Sequence, residues 1–234
     1  MRLSMQPSYG TFAPLVERLT QKLSLAIVAG LVLMSLDFIA TARAQAPIKL
    51  AVLGDSLSAG YGLPAEAAFP VRLQKALGDK GIKVDILNAG VSGDTTTGGR
   101  DRLDWSIPDG TDAVIVELGA NDALRGLDPK VAKAALDDIV KRLKARKIAV
   151  MLAGMYAPRN YGPDYAAKFD PIYAELAQAH GVTLYPFFLD GVAGEARLNQ
   201  ADGIHPTAEG IDIIVTRILP TVADFLNKVS AERR

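Results

Sequence analysis

Short runs of β-branched and aliphatic residues recur along the chain at Ile48–Leu53, Val84–Leu87, Ala113–Leu118, Ile148–Leu152 and Val182–Tyr185. Runs of this length without polar alternation predict five strands covered on both faces. Between them the apolar spacing turns helical, over Phe69–Leu77, Thr95–Trp105, Val131–Lys144 and Tyr165–His180. In the third of these, Val131, Ala135, Leu136, Ile139, Val140 and Leu143 are assigned to one stripe. A last helix is expected from Pro206, carrying Ile211, Ile214, Val215, Ile218, Val222 and Phe225 at helical spacing, with Pro220 as the place for a kink. Strand–helix alternation with single-element crossovers predicts an α/β fold, a five-stranded parallel sheet with helices on both faces. In such sheets sites form at the carboxyl ends of strands.

The amino-terminal region reads differently. Leu23 to Leu36 is a 14-residue apolar run preceded by Arg18 and Lys22 and followed by small residues at Ala40, Ala42 and Ala44. That is the layout of a secretory signal peptide, and Asp37 ends the run short of the roughly 20 residues that span a bilayer. The expected organisation is a leader over 1–44 and one domain over 45–234, periplasmic or secreted after cleavage. The stretch from Met1 to Lys22 is long for such a leader and contains Glu17, so an uncleaved inner-membrane anchor is the alternative.

Composition removes several function classes. Lysine plus arginine (26) balance aspartate plus glutamate (26), so no global basic field exists to hold a polyanion, and nucleic acid is not expected as a partner. Cysteine is absent, which excludes thiolate catalysis, disulfides and iron–sulfur ligation. With only His180 and His205 present, imidazole chemistry falls to one of two residues. His180 precedes Gly181 at a helix end, where its charge suits the dipole, and receives no catalytic role. Trp105, the only tryptophan, is read as packing.

At the predicted carboxyl ends the sequence gives Gly54-Asp55-Ser56-Leu57-Ser58, then Ser92-Gly93-Asp94-Thr95, then Gly119-Ala120-Asn121-Asp122, and finally Asp202-Gly203-Ile204-His205-Pro206. A serine after a strand often caps the next helix, so Ser56 alone says little. His205 changes that, because an imidazole with an ordinary pKa near ~6.5 takes a hydroxyl proton at neutral pH and returns it to a leaving group. Asp202 is spaced to hold the other ring nitrogen, and Pro206 suits the first position of the closing helix. Acyl transfer also needs donors for an oxyanion. Gly93 offers a backbone N–H with no Cβ in the way, and Asn121 a neutral amide. Asp55, Asp94, Glu117 and Asp122 raise the question of a divalent metal, yet such carboxylates also cap helices and bind backbone amides, so no metal is expected. Gly-x-Ser-x-Gly, Gly-x-Gly-x-x-Gly and Walker-type loops are missing, which removes support for the α/β-hydrolase elbow and for nucleotide cofactors.

The four segments, in this order, resemble the blocks of the GDSL, or SGNH, hydrolase family, and the resemblance runs from about Ile48 to Phe225. It is nearest to the thioesterase I / arylesterase / lysophospholipase L1 branch, which shares segments similar to Asn160-Tyr161-Gly162 and Pro186-Phe187-Phe188. The resemblance implies a flavodoxin-like three-layer sandwich and no cofactor. It implies Ser56 as nucleophile, His205 as general base and acid, and Asp202 as the orienting carboxylate. The Ser56 and Gly93 N–H groups with the Asn121 side chain would make the oxyanion hole. Gly90 competes with Gly93, but only Gly93 has the Ser-Gly-Asp context. Implied partners are small acyl esters and thioesters, namely aryl esters, acyl thioesters and lysophospholipids, with transient contact with membrane lipid. A carbohydrate O-acetyl esterase on the same residues and a non-catalytic periplasmic binding protein are the alternative expectations.

Overall fold

The computed structural model describes residues 46–233, so the leader expected over 1–44 lies outside the described residues. In chain order the elements are β1 (Ile48–Gly54), α1 (Ser56–Ala59), α2 (Phe69–Asp79), β2 (Val84–Gly90), α3 (Thr96–Asp101) and α4 (Leu103–Ser106). Then come β3 (Ala113–Glu117), α5 (Ala120–Leu124), α6 (Pro129–Ala145), β4 (Ala149–Ala153), α7 (Pro163–Phe169), α8 (Ile172–His180), β5 (Thr183–Tyr185) and α9 (Ala208–Glu232). All five strands pair in parallel in the order β2-β1-β3-β4-β5. This is the expected α/β architecture, with β3 buried throughout as a central parallel strand requires and β2 largely accessible at the edge.

The order itself locates the site. From β1 the chain moves outward to β2, then returns past β1 to β3, and a crevice opens at the carboxyl ends where the winding reverses. Gly54 at the end of β1 is paired with Glu117 at the end of β3, so the loops that follow these two strands leave the sheet side by side.

Five local expectations change. The helix expected over Thr95–Trp105 is two helices, α3 and α4, meeting at Arg102; Gly98 and Gly99 make the first a weak helix former, and the Arg102 guanidinium is drawn inward to the Gly54 and Ala89 carbonyls. The helix expected over Tyr165–His180 is broken into α7 and α8 at Pro171, which has no N–H to continue the ladder. The last helix begins at Ala208 with Thr207 as its cap, and Pro206 is instead bridged antiparallel to Asn199; the helix continues through Pro220. Val131 is 49% exposed, because at 100° per residue it falls at the margin of the apolar stripe while Ala132 occupies its centre. Trp105, read as packing, is 75% exposed on α4.

Candidate active site

Asp55, not Ser56, caps α1: its Oδ1 accepts the Leu57 N–H at 2.9 Å. The Ser56 hydroxyl is therefore not used up as a cap. It sits 2.9 Å from His205 Nε2, while His205 Nδ1 sits 2.7 Å from Asp202 Oδ2. Asp202 Oδ1 also accepts the backbone N–H groups of His205 (3.0 Å) and Ile204 (2.9 Å). These bonds, with the His205 backbone N–H foremost and the ring next, hold the Asp202 carboxyl down to about 2, so it is ionised at working pH. An ionised acceptor at Nδ1 fixes the proton there and leaves the Nε2 lone pair facing the Ser56 hydroxyl. The arrangement can move a proton from Oγ to the imidazole without rearrangement of heavy atoms.

The loop bearing His205 is anchored by groups the sequence reading did not single out. Gln200 Nε2 donates to the Tyr61 carbonyl at 2.8 Å and the Pro206 carbonyl at 3.0 Å, and the Gln200 N–H donates to the His205 carbonyl at 2.7 Å. The Tyr61 ring lies against the imidazole with centroids 4.5 Å apart. One side chain thus ties the turn after α1 to the loop of His205, across a sequence gap no local pattern reveals.

On the opposite side Asn121, in the first turn of α5, directs Nδ2 to Asp55 Oδ2 at 3.0 Å. A second amide hydrogen remains on that nitrogen for another acceptor. Gly93, with φ +85°, occupies the left-handed region that a β-carbon disfavours, and its carbonyl accepts from Arg125 at 2.8 Å. The competing glycine, Gly90, has a different task. A Cβ there would stand 2.5 Å from the Ala59 backbone nitrogen, so it lets β2 pack against α1.

Beneath these groups the carboxylates are engaged within the protein. Asp122 accepts from the Thr96 N–H and hydroxyl at 2.8 and 2.7 Å, and Asp94 pairs with Arg102 at 2.5 Å. Glu117 is fully buried, accepting the Ser58 hydroxyl at 2.6 Å through Oε2, and its Oε1 has no hydrogen-bond partner among the described residues. Burial, followed by the neighbouring Asp55 charge, pushes the Glu117 carboxyl well above its ordinary value. Burial also raises Asp55, to about 6, against the opposing pull of the Leu57 and Asn121 bonds. His180 lies elsewhere, at the end of α8 with Nε2 2.7 Å from Asp137.

A cavity of about 580 Å³ opens over Ser56, Asn121 and His205, walled mainly by apolar side chains such as Leu57, Met155, Tyr156, Phe187 and Leu189. A larger one, about 810 Å³, lies at the opposite edge of the sheet among Lys144, Lys147, Lys228 and Arg233. It contains no nucleophile–base pair, and the smaller cavity is the candidate site.

Residues 52–213 match the GDSL-like lipase/acylhydrolase family. The chain belongs to this family. Relatives include the arylesterase of Vibrio mimicus, 42% identical over 82% of this chain and 92% of that protein. Esterase TesA of Pseudomonas aeruginosa is 38% identical over 76% of this chain and 89% of its own length. The thioesterase 1/protease 1/lysophospholipase L1 of Escherichia coli K12 is 38% identical over 80% and 86%. Among solved structures, that of TesA superposes with a TM-score of 0.72 at 37% identity, covering 76% of this chain and 99% of the other. The SGNH-hydrolase family esterase AlinE4 gives 0.65 at 44%, covering 77% and 97%. This GDSL family member is an SGNH-type esterase, which sets aside the non-catalytic binding protein.

Proposed function

We propose that Ser56 is the nucleophile, His205 the general base and acid, and Asp202 the carboxylate that orients it. The single observation carrying this reading is the unbroken chain of contacts from Ser56 Oγ to His205 Nε2 (2.9 Å) and from His205 Nδ1 to Asp202 Oδ2 (2.7 Å). Ser56 Oγ attacks the carbonyl carbon as its proton passes to Nε2, and the carbonyl oxygen becomes an oxyanion. The Ser56 and Gly93 N–H groups and Asn121 Nδ2 receive that charge. Collapse expels the alcohol or thiol, which takes the proton from Nε2, and leaves an acyl-enzyme. Water then repeats the sequence and releases the acid.

The substrates we propose are small acyl esters and thioesters, including aryl esters, acyl thioesters and lysophospholipids. The apolar walls of the cavity favour an acyl chain over a sugar, whose hydroxyls would be left without partners. Leu124, Tyr156 and Ile204 are about two-fifths exposed and line the same cavity, which supports transient contact with lipid at its mouth. A fluorophosphonate probe should label Ser56, and purified protein should turn over aryl esters, acyl thioesters and lysophospholipids. Labelling at another residue sinks the nucleophile assignment. Cleavage of acetylated glycan with longer acyl esters ignored would transfer the site to carbohydrate O-acetyl esters.

We also propose export to the periplasm or medium with cleavage after Ala44, on the apolar run Leu23–Leu36 and the small residues that follow it. Among the described residues no helix is long and apolar enough to cross a membrane. N-terminal sequencing of the protein from fractionated cells tests the export reading. A first residue near Gln45 supports it, and an intact terminus in the membrane fraction replaces it with an anchor.

A further inference from the structure

Arg125 caps the carboxyl end of α5, and its side chain folds back over the preceding turn. Its Nη2 donates to the Gly93 carbonyl at 2.8 Å and stands 3.5 Å from Asn121 Oδ1. Those are the two residues outside Ser56 that supply donors to the proposed oxyanion hole. Among the described residues Arg125 forms no ion pair, although the side chain is exposed and charged. Arg102, on the other flank of the same loop, contrasts with it: Arg102 is buried, pairs with Asp94 and holds the Ala89 and Gly54 carbonyls.

The two donors need such support. Gly93 belongs to the loop between β2 and α3 and has a positive φ, so no helix or strand fixes the direction of its N–H. Asn121 has its amide nitrogen tied to Asp55, and its Oδ1 end faces Arg125. A planar guanidinium presents several donors in fixed directions, and one nitrogen reaches both segments here. Its charge also adds to the field where negative charge develops, with no ion pair of its own among the described residues.

We infer that Arg125 is a positioning residue of the oxyanion hole, holding the Gly93 loop and the Asn121 amide in register through the Gly93 carbonyl and Asn121 Oδ1. The inference rests on the serine-hydrolase reading given above.

The test compares Arg125→Ala, Arg125→Lys and Arg125→Gln with the unsubstituted protein on a short aryl ester, with and without added guanidinium ion. Arg125→Ala should lose about ten- to a hundredfold in kcat with KM changed by no more than about threefold, because the support acts on the transition state. Added guanidinium should restore part of that loss in Arg125→Ala and none of the loss in Asn121→Ala. Lysine should recover only part of the activity, since a point charge on a flexible stem does not reproduce the fork. A role limited to stability would lower the melting temperature without guanidinium rescue and would overturn the inference. So would a folded Arg125→Ala or Arg125→Gln protein with kcat within about threefold of the original, or a rise confined to KM. If alanine does not fold, the lysine and glutamine variants carry the same comparison. The unsubstituted protein distinguishes the two levels of failure: no fluorophosphonate labelling at Ser56 removes the nucleophile assignment, whereas labelling with unaltered turnover in the Arg125 variants removes only the role of Arg125.

Discussion

Asn121 Nδ2 donates to Asp55 Oδ2 at 3.0 Å, joining the first turn of α5 to the residue immediately before Ser56. The bond crosses 66 positions of sequence and forms because β1 and β3 are neighbours whose ends lie in register. Asp55 does two things at once. Its Oδ1 caps α1 and so orients the first turn that carries Ser56, while Oδ2 orients the amide that faces the same crevice. The proposed nucleophile and an oxyanion donor are thereby held by the two oxygens of one carboxylate.

Burial raises Asp55 to about 6, and the charge is what makes its bond to Asn121 strong. Above about pH 6 the folded protein carries a buried anion, with its desolvation penalty. As pH falls from there toward the ordinary value of 3.8, the folded state takes up a proton that the unfolded chain does not yet bind, and the penalty is relieved. Asp55→Asn should therefore raise the melting temperature at about pH 8 and give progressively less gain as the pH falls through about 6. Its kcat should be lower by about tenfold at the higher pH, with the gap narrowing below about 6 as the original group also becomes neutral. Melting curves and kcat measured across that range check both signs, and a pH-independent ratio of the two activities would refute the role given to Asp55.

The sheet, its five strands and the four loops at its carboxyl edge are legible in the sequence because aliphatic runs and their glycine and asparagine boundaries are local signals. Helix breaks were less so: Arg102 ends α3 through contacts with Gly54 and Ala89, which are remote in sequence, whereas Pro171 could have been read directly as the break between α7 and α8. Ser56, His205 and Asp202 stood out because their chemistry is distinctive and their segments follow strands. Gln200 and Arg125 did not, and Glu117 did so only as one of four carboxylates that raise the question of a metal. Their importance comes from the partner each meets across the fold, the Tyr61 carbonyl, the Gly93 carbonyl and the Ser58 hydroxyl, and no spacing within the chain announces these contacts.

The two glycines of the β2–α3 segment should respond differently to alanine. In Gly90→Ala the new Cβ meets backbone of α1, at 2.5 Å from the Ala59 nitrogen and 2.9 Å from the Asp55 carbonyl, so strand and helix must separate. The expected loss is about 1–3 kcal/mol or more of stability, read as a lower melting temperature. At Gly93 the nearest atom to a Cβ is Arg125 Nη2 at 3.7 Å, so space is adequate and the conformational cost at φ +85° is about 1–2 kcal/mol. Gly93→Ala should therefore lose kcat out of proportion to stability. Equal melting temperatures and unequal kcat values, or the reverse, decide between the two roles at each position.

Ser56→Ala should remove nearly all turnover and fluorophosphonate labelling while the melting temperature stays close to that of the original, since Asp55 and not Ser56 caps α1. Asp202→Asn should lower kcat by about a hundredfold or more, because an amide can present the wrong group to Nδ1 and release the imidazole from its required tautomer. Asp202 is held down to about 2, so its own titration should leave no mark on the activity profile near neutral pH. Substantial turnover in folded Ser56→Ala, measured against a buffer blank, would remove the serine from the reaction.

Asn121→Ala separates transition-state stabilisation from substrate binding. The substrate carbonyl and the oxyanion differ mainly in charge, so a donor placed for the oxyanion contributes more to kcat than to KM. Removing it should lower kcat by about a hundredfold, with KM changed by only a few fold. The deletion also strips Asp55 of the Asn121 bond, one of the interactions that pull its carboxyl down, so Asp55 should titrate at higher pH than the value of about 6 it has with Asn121 present. Titration of the Asp55 carboxyl in the folded variant, followed by NMR, should therefore show its midpoint moved upward. An unmoved Asp55 titration would mean that the Asn121 bond does not hold that carboxyl down, and an effect confined to KM would make Asn121 a residue that binds the ground state.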